Sequence, residues 1–545
     1  MHDAAQNAVA FPRLNDEQIA ALSELGERRV FSDGEVFFRE GESGFPFFVV
    51  VSGRMQIVES SSGEPRPVAA HEPGEFSGDV DMLSGRPAVV TGLADGETEA
   101  LVIPVDNLKL LVKRCPDVSD IVMRAFLERR RILIDSDFVG VRVIGSRFSP
   151  DTLRIREFLA KNGQPFTWTD LENDAEAETL LKRFEVCPEE TPVVSCEGRS
   201  LLRNPSNSEL AECLGIKRPL DDAVYDLTVI GAGPAGLAAA VYGASEGLRT
   251  LVLDKTGPGG QAGTSSKIEN YMGFPTGLSG ADLAERAVLQ ASKFGAEFSV
   301  PSEVAGVECG NGYHRITLAD GAEIRTKAIL IATGASYRKL PAERVEDFEG
   351  NGVFYACTAV EAQLCADGKA VVVGGGNSAG QAAVFLSGRT QGVSLMIRGD
   401  DLGKSMSEYL ATRIESNPSI ELLKNSEIHA VDGNGSLDQV RIRNRQDGSE
   451  RTLDSKAVFV FIGAAPHTTW LPECVATDDK GFVLTGRDAK TERWPLERDP
   501  MPLETSTPGI FAAGDVRWNS VKRVASAVGE GSMTVHLVHR YLAEK

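Results

Sequence analysis

Asp226-Leu-Thr-Val-Ile-Gly231-Ala-Gly233-Pro-Ala-Gly236 decides the fold. The apolar run ending at Ile230 has the composition of a strand buried on both faces, and the Ala-rich stretch 237–245 after the glycines reads as a helix. Strand, glycine turn and helix together form a dinucleotide-binding unit. Gly231 permits the tight turn, Gly233 lets a pyrophosphate approach the backbone, and Gly236 lets helix and strand pack closely. The helix N-terminus adds N–H donors and partial positive charge. Asp254 closes the next strand, 250–253, where an acid binds a ribose hydroxyl.

A second unit of the same kind begins at 370–373 and runs into Gly374-Gly-Gly376-Asn377-Ser378-Ala379, with alanine at the third position still small enough for close helix packing. The strand after it, 393–397, ends in Arg398 rather than an acid. Arg398, with Lys404 nearby, suits a 2′-phosphate and favours NADPH, although Asp400 and Asp401 point the other way.

Around these motifs the chain has 545 residues, enough for three or four domains at roughly 150 residues each. Short β runs with Gly turns, then helical periodicity over 118–134, predict a small β-barrel domain followed by a helix at 10–138. Residues 139–217 alternate strand and helix as a small α/β domain, and the charged, Pro-containing 217–222 links it to the dinucleotide-binding region. The fold class is α/β multidomain, with two nested Rossmann-like domains last.

Lys+Arg 57 against Asp+Glu 78 leaves a net charge of -21, which repels phosphate backbones and anionic lipid, so nucleic-acid and membrane partners are not expected. No apolar run approaches the ~18 residues of a membrane span, and the first residues lack a basic, apolar leader, so the expectation is a cytoplasmic protein. Its eight cysteines, scattered and never in CxxC spacing, are then thiols, and no His/Cys/acid cluster calls for a metal.

Gly259-Gly260-Gln261, Asn270, Ala332-Thr333-Gly334 and Gly509-Ile-Phe-Ala-Ala-Gly514-Asp515 follow in the order seen in low-molecular-weight thioredoxin reductases, which the chain resembles over about 223–545. The resemblance implies an FAD domain, 222–340 and 465–545, split by an NAD(P)H domain at 341–464. It places Gly260, Gln261, Asn270, Thr333, Gly334 and Gly514 at FAD and Asp515 on the ribityl chain. Arg523, Val524 and Ala525, opening the last helix, would lie beside the isoalloxazine ring. It also implies a homodimer and a domain rotation that brings nicotinamide to flavin.

The family's redox CxxC opens the first helix of the inserted domain, and alignment on Gly352-Val353 puts Ala356 and Ala359 in its places. Cys357 and Cys365 remain nearby. Thr358 and Glu361 predict a capping box, and a helix over 357–365 would separate the two thiols by about 12 Å, beyond the ~7 Å Cα limit for a bridge. Cys357 beside a helix N-terminus would have a lowered pKa and is the one candidate catalytic thiol; the other reading is a small buried side chain at a crowded turn.

The α/β unit at 139–217 resembles glutaredoxin and thioredoxin folds through its strand at 141–144, its Thr191-Pro192-Val193 segment expected to hold a cis proline, and its closing helix. Ser146 to Thr152 stand where that fold carries CxxC, so a docking or packing module is expected. The first unit resembles cyclic-nucleotide-binding domains through Gly34, Gly41, Gly53 and the cassette 74–91. There the ribose-binding Glu is shortened to Asp79 and the phosphate-binding Arg is Ala88, which leaves Arg86 as substitute and predicts weakened phosphate affinity.

The expectation is an FAD-dependent oxidoreductase that takes hydride from NADPH and passes electrons to oxygen, a quinone, another small oxidant or a docked redox protein without an internal CxxC. Two alternatives stand beside it: a thiol-disulfide reductase using Cys357 or a cysteine supplied from elsewhere, and a nucleotide-regulated redox sensor.

Overall fold

In the computed structural model the apolar run before Gly231 is the strand Val224–Ile230, central in a mainly parallel sheet. Residues 8–544 are described, apart from 60–65, 136–140, 175–176, 184–185, 188–189, 197–199, 218–219, 221–222, 266, 311, 435 and 493. Parallel neighbours Thr250–Leu253 and Glu323–Ile331 flank the strand, and Ile510–Ala512 returns from the far end of the chain to pair with Glu323–Ile331. Glu297–Ser299 pairs parallel with Thr250–Leu253 at one edge, and an antiparallel edge, His314–Leu318 and Val304–Glu308, completes the sheet.

Helices Pro234–Ser245 and Val524–Ala543 cover one face, and they touch so closely that a Cβ on Gly531 would strike the Ala235 carbonyl. The alanines of the first helix make that approach possible; larger side chains would hold the helices at the usual 8–10 Å.

Between Ile331 and Ile510 lies a second sheet, all parallel, in the order Val353–Phe354, Ala457–Val460, Lys369–Val373, Gly392–Met396, Ile420–Leu423. An antiparallel sheet of three strands, Ser426–Gly433, Leu437–Asn444 and Glu450–Asp454, packs on it. The two chain crossings between the halves, Ala335–Tyr337 and Ala464–Pro466, pair with each other as a short antiparallel ribbon.

The N-terminal unit has two antiparallel sheets, of three and four strands, over a core that gathers Phe31, Phe37, Phe47, Phe48, Phe76 and Phe126. Its last helix, Pro116–Asp135, covers the predicted 118–134. In the next unit the order is Ser200–Arg203, Val193–Cys196, Val141–Gly145, Thr167–Asp170, with the last pair parallel and the others antiparallel. Helices Pro150–Lys161, Ala177–Arg183 and Asn207–Cys213 complete it, and Thr191-Pro192 is cis. Part of the linker 217–222 lies outside the described residues.

The units are bonded to one another. Arg86 Nη1 donates to the Asn162 carbonyl at 2.6 Å, and Asn162 Nδ2 donates to the Thr256 carbonyl at 2.9 Å. Leu153, on Pro150–Lys161, is part of the same core as Phe354 and Cys357, and Arg156 reaches Gln363 at 3.2 Å while stacked on Trp168.

Candidate functional site

The strands Val224–Ile230 and Glu323–Ile331 end side by side, so the two turns that follow them meet. Gly231 takes φ +107°, and a Cβ there would strike the Ala332 carbonyl, which explains why glycine stands opposite the Ala332-Thr333-Gly334 turn. Asp254 ties the loops together: Oδ2 accepts from the Ala232 N–H at 2.8 Å, and Oδ1 accepts from Thr256 and Gly257 N–H at 2.9 Å. It therefore organises the turn as well as lining the space in front of it.

That space is a cavity of about 230 Å³. Of the residues singled out in the sequence, Gly231, Gly233, Asp254, Gly260, Gln261, Asn270, Thr333, Gly334, Gly514, Asp515, Arg523 and Val524 line it. So do Asn377, Ser378 and Gln381 from the second glycine motif, so both fingerprints open on one chamber. Gly236 and Ala379 instead lie buried where each helix packs on its sheet, Gly374 turns at φ +141°, and Ala525 is exposed outside the lining.

Three helices begin here, Pro234–Ser245, Asn377–Ser387 and Val524–Ala543, and no side chain caps any of them. Their first N–H groups and their dipoles are thus available to phosphate or to a ring carrying negative charge. A Cβ on Gly233 would meet only Gly260 Cα, at 3.9 Å, and one on Gly376 would meet nothing within 4 Å. The residues present fit two dinucleotides.

Burial raises the Asp515 carboxyl, Lys522 opposes that and Glu530 adds to it. Glu530 is a residue the sequence reading missed. It accepts from Gly514 N–H at 2.7 Å and is paired through both oxygens with Arg517, which holds the Gly514-Asp515 turn in place. Nothing in the local pattern distinguishes it from a solvated helix carboxylate.

A larger cavity, about 710 Å³, adjoins the first and shares Gly231, Asp254, Gly260, Gln261, Thr333 and Ala335 with it. Its other walls come from Val353 to Ala356, from His467 and Trp470, and from Pro150, Leu153, Glu157 and Lys161 of helix Pro150–Lys161. Glu157 is pushed up to about 7, by burial first and then by the carboxylate of Glu361, with Lys161 pulling down. Glu361 is 1% exposed and accepts from the Thr358 N–H at 2.6 Å and from the Thr358 hydroxyl. The predicted Thr358/Glu361 contact is therefore made from the Glu361 side.

Two sequence expectations need correction. Cys357 is not an activated thiol: it is 4% exposed, and burial, Glu361 and Cys365 push it far up, because desolvation outweighs any benefit of the short helix Ala359–Leu364. Cys365, 1% exposed, is pushed up to about 12 by burial first. In the N-terminal cassette, Asp79 caps the helix Val80–Ser84 and pairs with buried Arg130 at 3.3 Å, while Arg86 is spent on the Asn162 carbonyl. Those contacts occupy the two side chains that were to replace the usual ribose and phosphate ligands. Arg398 stays half-exposed at its strand end, 3.9 Å from Glu427, and Lys404 is paired with Asp400 at 2.7 Å.

Residues 225–531, more than half of the chain, match the family described as pyridine nucleotide-disulphide oxidoreductase. The chain belongs to that family. Residues 28–115 of this oxidoreductase match the cyclic nucleotide-binding domain family. It is 32% identical over 325 residues to thioredoxin reductase of Listeria monocytogenes, covering 59% of this chain and 96% of that one. With thioredoxin reductase of Treponema pallidum the identity is 34% over 318 residues, 58% of this chain and 97% of the other. Among solved structures it is similar to Lactococcus lactis thioredoxin reductase in the FR conformation, with TM-score 0.53, 29% identity, and 59% and 100% of the two chains covered. The oxidoreductase is an FAD-dependent NAD(P)H enzyme, and its family uses FAD and NADPH. No helix among its described residues is long and apolar enough to cross a membrane.

Proposed function

We propose that this enzyme takes hydride from NADPH onto FAD and delivers the electrons directly to an acceptor, with no disulfide of its own between flavin and acceptor. The observation that carries this reading is the shared chamber: Asn377, Ser378 and Gln381 face Gly231, Gly233 and Asp515 across one cavity. FAD supplies the two-electron chemistry when bound. The chain's part is to bind, orient and exclude. Gly233 and the start of Pro234–Ser245 hold the pyrophosphate, Asp254 meets the adenosine ribose, and Asp515 meets the ribityl hydroxyls. The uncapped start of Val524–Ala543 stabilises negative charge on the ring, and Gly376 with Arg398 receives the nicotinamide donor and its 2′-phosphate.

The residues at the lost CxxC support the absence of a disulfide step. Ala356 lines the larger cavity, Cys357 is buried, and helix Pro150–Lys161 closes over them. The latter unit, with its βαβαββα order and cis Pro192, is a thioredoxin-like module without its thiols, and it serves as a wall rather than an electron carrier. The acceptor is a small oxidant able to enter the larger cavity. The enzyme works as a homodimer in a reducing compartment, where its scattered cysteines stay thiols. Its cassette, with Asp79 and Arg86 engaged, holds cyclic nucleotides weakly.

Anaerobic titration of the flavin with NADPH, followed by turnover with oxygen, quinones and thioredoxin, tests the proposal. Bleaching of the flavin by one equivalent and turnover with a small oxidant are expected. Thioredoxin reduction faster than any direct acceptor would overturn it.

A further inference from the structure

Cys309 follows the edge strand Val304–Glu308, and Cys474 lies 165 residues later in the stretch Leu471-Pro472-Glu473-Cys474-Val475. Their sulfurs are 2.6 Å apart and both residues are exposed. A covalent S–S bond is about 2.05 Å, so the two thiols need only a small approach to bond.

The placement is held from both sides. Val307 and Val475, each two residues or fewer from its cysteine, are buried in one apolar core. The Cys474 carbonyl accepts from the Ser506 hydroxyl at 2.6 Å and the Thr507 hydroxyl at 2.8 Å. This pair is unlike Cys357 and Cys365, which are buried and out of reach of solvent oxidants.

We propose that Cys309 and Cys474 are a reversible dithiol/disulfide site, oxidised by hydroperoxides and restored by an external dithiol. One of the two sulfurs, as the thiolate, attacks the peroxide, the O–O bond breaks, and the departing oxygen takes the proton that thiol gave up and leaves as alcohol or water, giving a sulfenic acid. The second sulfur then attacks the first; the S–S bond forms, the S–O bond breaks, and the departing hydroxide takes the second thiol's proton as water. Two thiols and one peroxide become one disulfide, one alcohol and one water. A dithiol returns the two electrons and two protons by exchange. Desolvation and the adjacent Cys474 sulfur push the Cys309 thiol up to about 12.

The bond would have a mechanical consequence for the larger cavity. Glu303 and Val304 form one of its walls and His467, Thr469 and Trp470 another, and the cysteines lie five residues beyond Val304 and four beyond Trp470. Oxidation would tie the walls together.

The proposal is independent of the electron route argued above, because its readout is the bond and not turnover. Full-length FAD-loaded enzyme is reduced with dithiothreitol, desalted, given one equivalent of hydrogen peroxide, alkylated with N-ethylmaleimide and digested without reductant. Mass spectrometry should find the Cys309 and Cys474 peptides joined and two hydrogens lighter. Alkylation of both should fall about tenfold while exposed Cys187 stays modified, and dithiothreitol should reverse the change. In Cys309→Ser and in Cys474→Ser no disulfide should form, and dimedone should label the remaining cysteine in at least one of the two variants. Undiminished alkylation of both cysteines after peroxide, or a bond to another cysteine or between two chains, would overturn the proposal. Absence of dimedone labelling in both variants would overturn the sulfenic acid step.

Discussion

Replacing Gly233 by alanine should remove FAD while leaving the fold intact. Gly233 sits at φ -74° and ψ -177°, an extended conformation that any L-residue adopts, so no backbone strain arises. The added methyl would meet only Gly260 Cα at 3.9 Å, ordinary contact within the protein. Its space is instead that of the pyrophosphate above the start of Pro234–Ser245. Displacing that group forfeits about two charge-assisted hydrogen bonds at about 1.5–3 kcal/mol each, or roughly 3–6 kcal/mol together. At 1.4 kcal/mol per decade, FAD affinity should fall about 10²- to 10⁴-fold. Fluorescence titration of apoprotein with FAD measures the loss, and the melting temperature of the apoprotein checks that the fold is unchanged. Gly236→Ala provides the contrast: a Cβ there strikes the Gly231 carbonyl, so that variant should lose stability first. Stoichiometric FAD with unshifted affinity in Gly233→Ala would refute the assignment of the first fingerprint.

Arg398→Ala should narrow the preference for NADPH over NADH by about 10-fold or more, toward the low end of the 1.5–3 kcal/mol range because the side chain is half-exposed; equal kcat/KM for both donors in wild type would refute it. Cys357→Ser should leave NADPH oxidation by a small acceptor within about twofold, since a buried thiol with a raised pKa takes no part; loss of a wild-type thioredoxin activity of about 1 s⁻¹ would replace the direct mechanism with a thiol relay. Glu157, pushed from 4.5 to about 7, binds its proton more tightly in the folded state than in the unfolded one, so its contribution to stability is full below about pH 4.5 and is lost as pH rises through 7. Melting temperatures across that window should fall more steeply for wild type than for Glu157→Gln, and parallel curves would show that the proton is not held there.

Much of the nucleotide chemistry was legible because it is local. Gly231, Gly233 and Gly236 act through backbone geometry a few residues wide, and a strand, a turn and a helix can be read from hydrophobic period and glycine spacing. At Cys357 the sequence left two readings open, an activated thiol beside a helix N-terminus and a small buried side chain, with nothing local to choose between them. What governs that thiol is burial under Leu153 and Phe354, and Leu153 is more than 200 residues away in the chain. At Asp79 and Arg86 the sequence could not show the partners for a like reason: Arg130 and Asn162 come from another helix and another unit. Glu530 was silent because a carboxylate on a helix carries no mark of the turn it will hold.

The sequence by itself determined the two glycine motifs with their flanking strand and helix patterns and the lack of any CxxC spacing among its cysteines, since each depends on residue type and short spacing. Only the tertiary structure decided that both motifs open on one chamber, that helix Pro150–Lys161 packs against Phe354 and Cys357, and that Cys309 meets Cys474. Those outcomes depend on how separately formed cores dock. Docking energy is summed over side chains distant in sequence and leaves no periodicity in the chain that could be read beforehand.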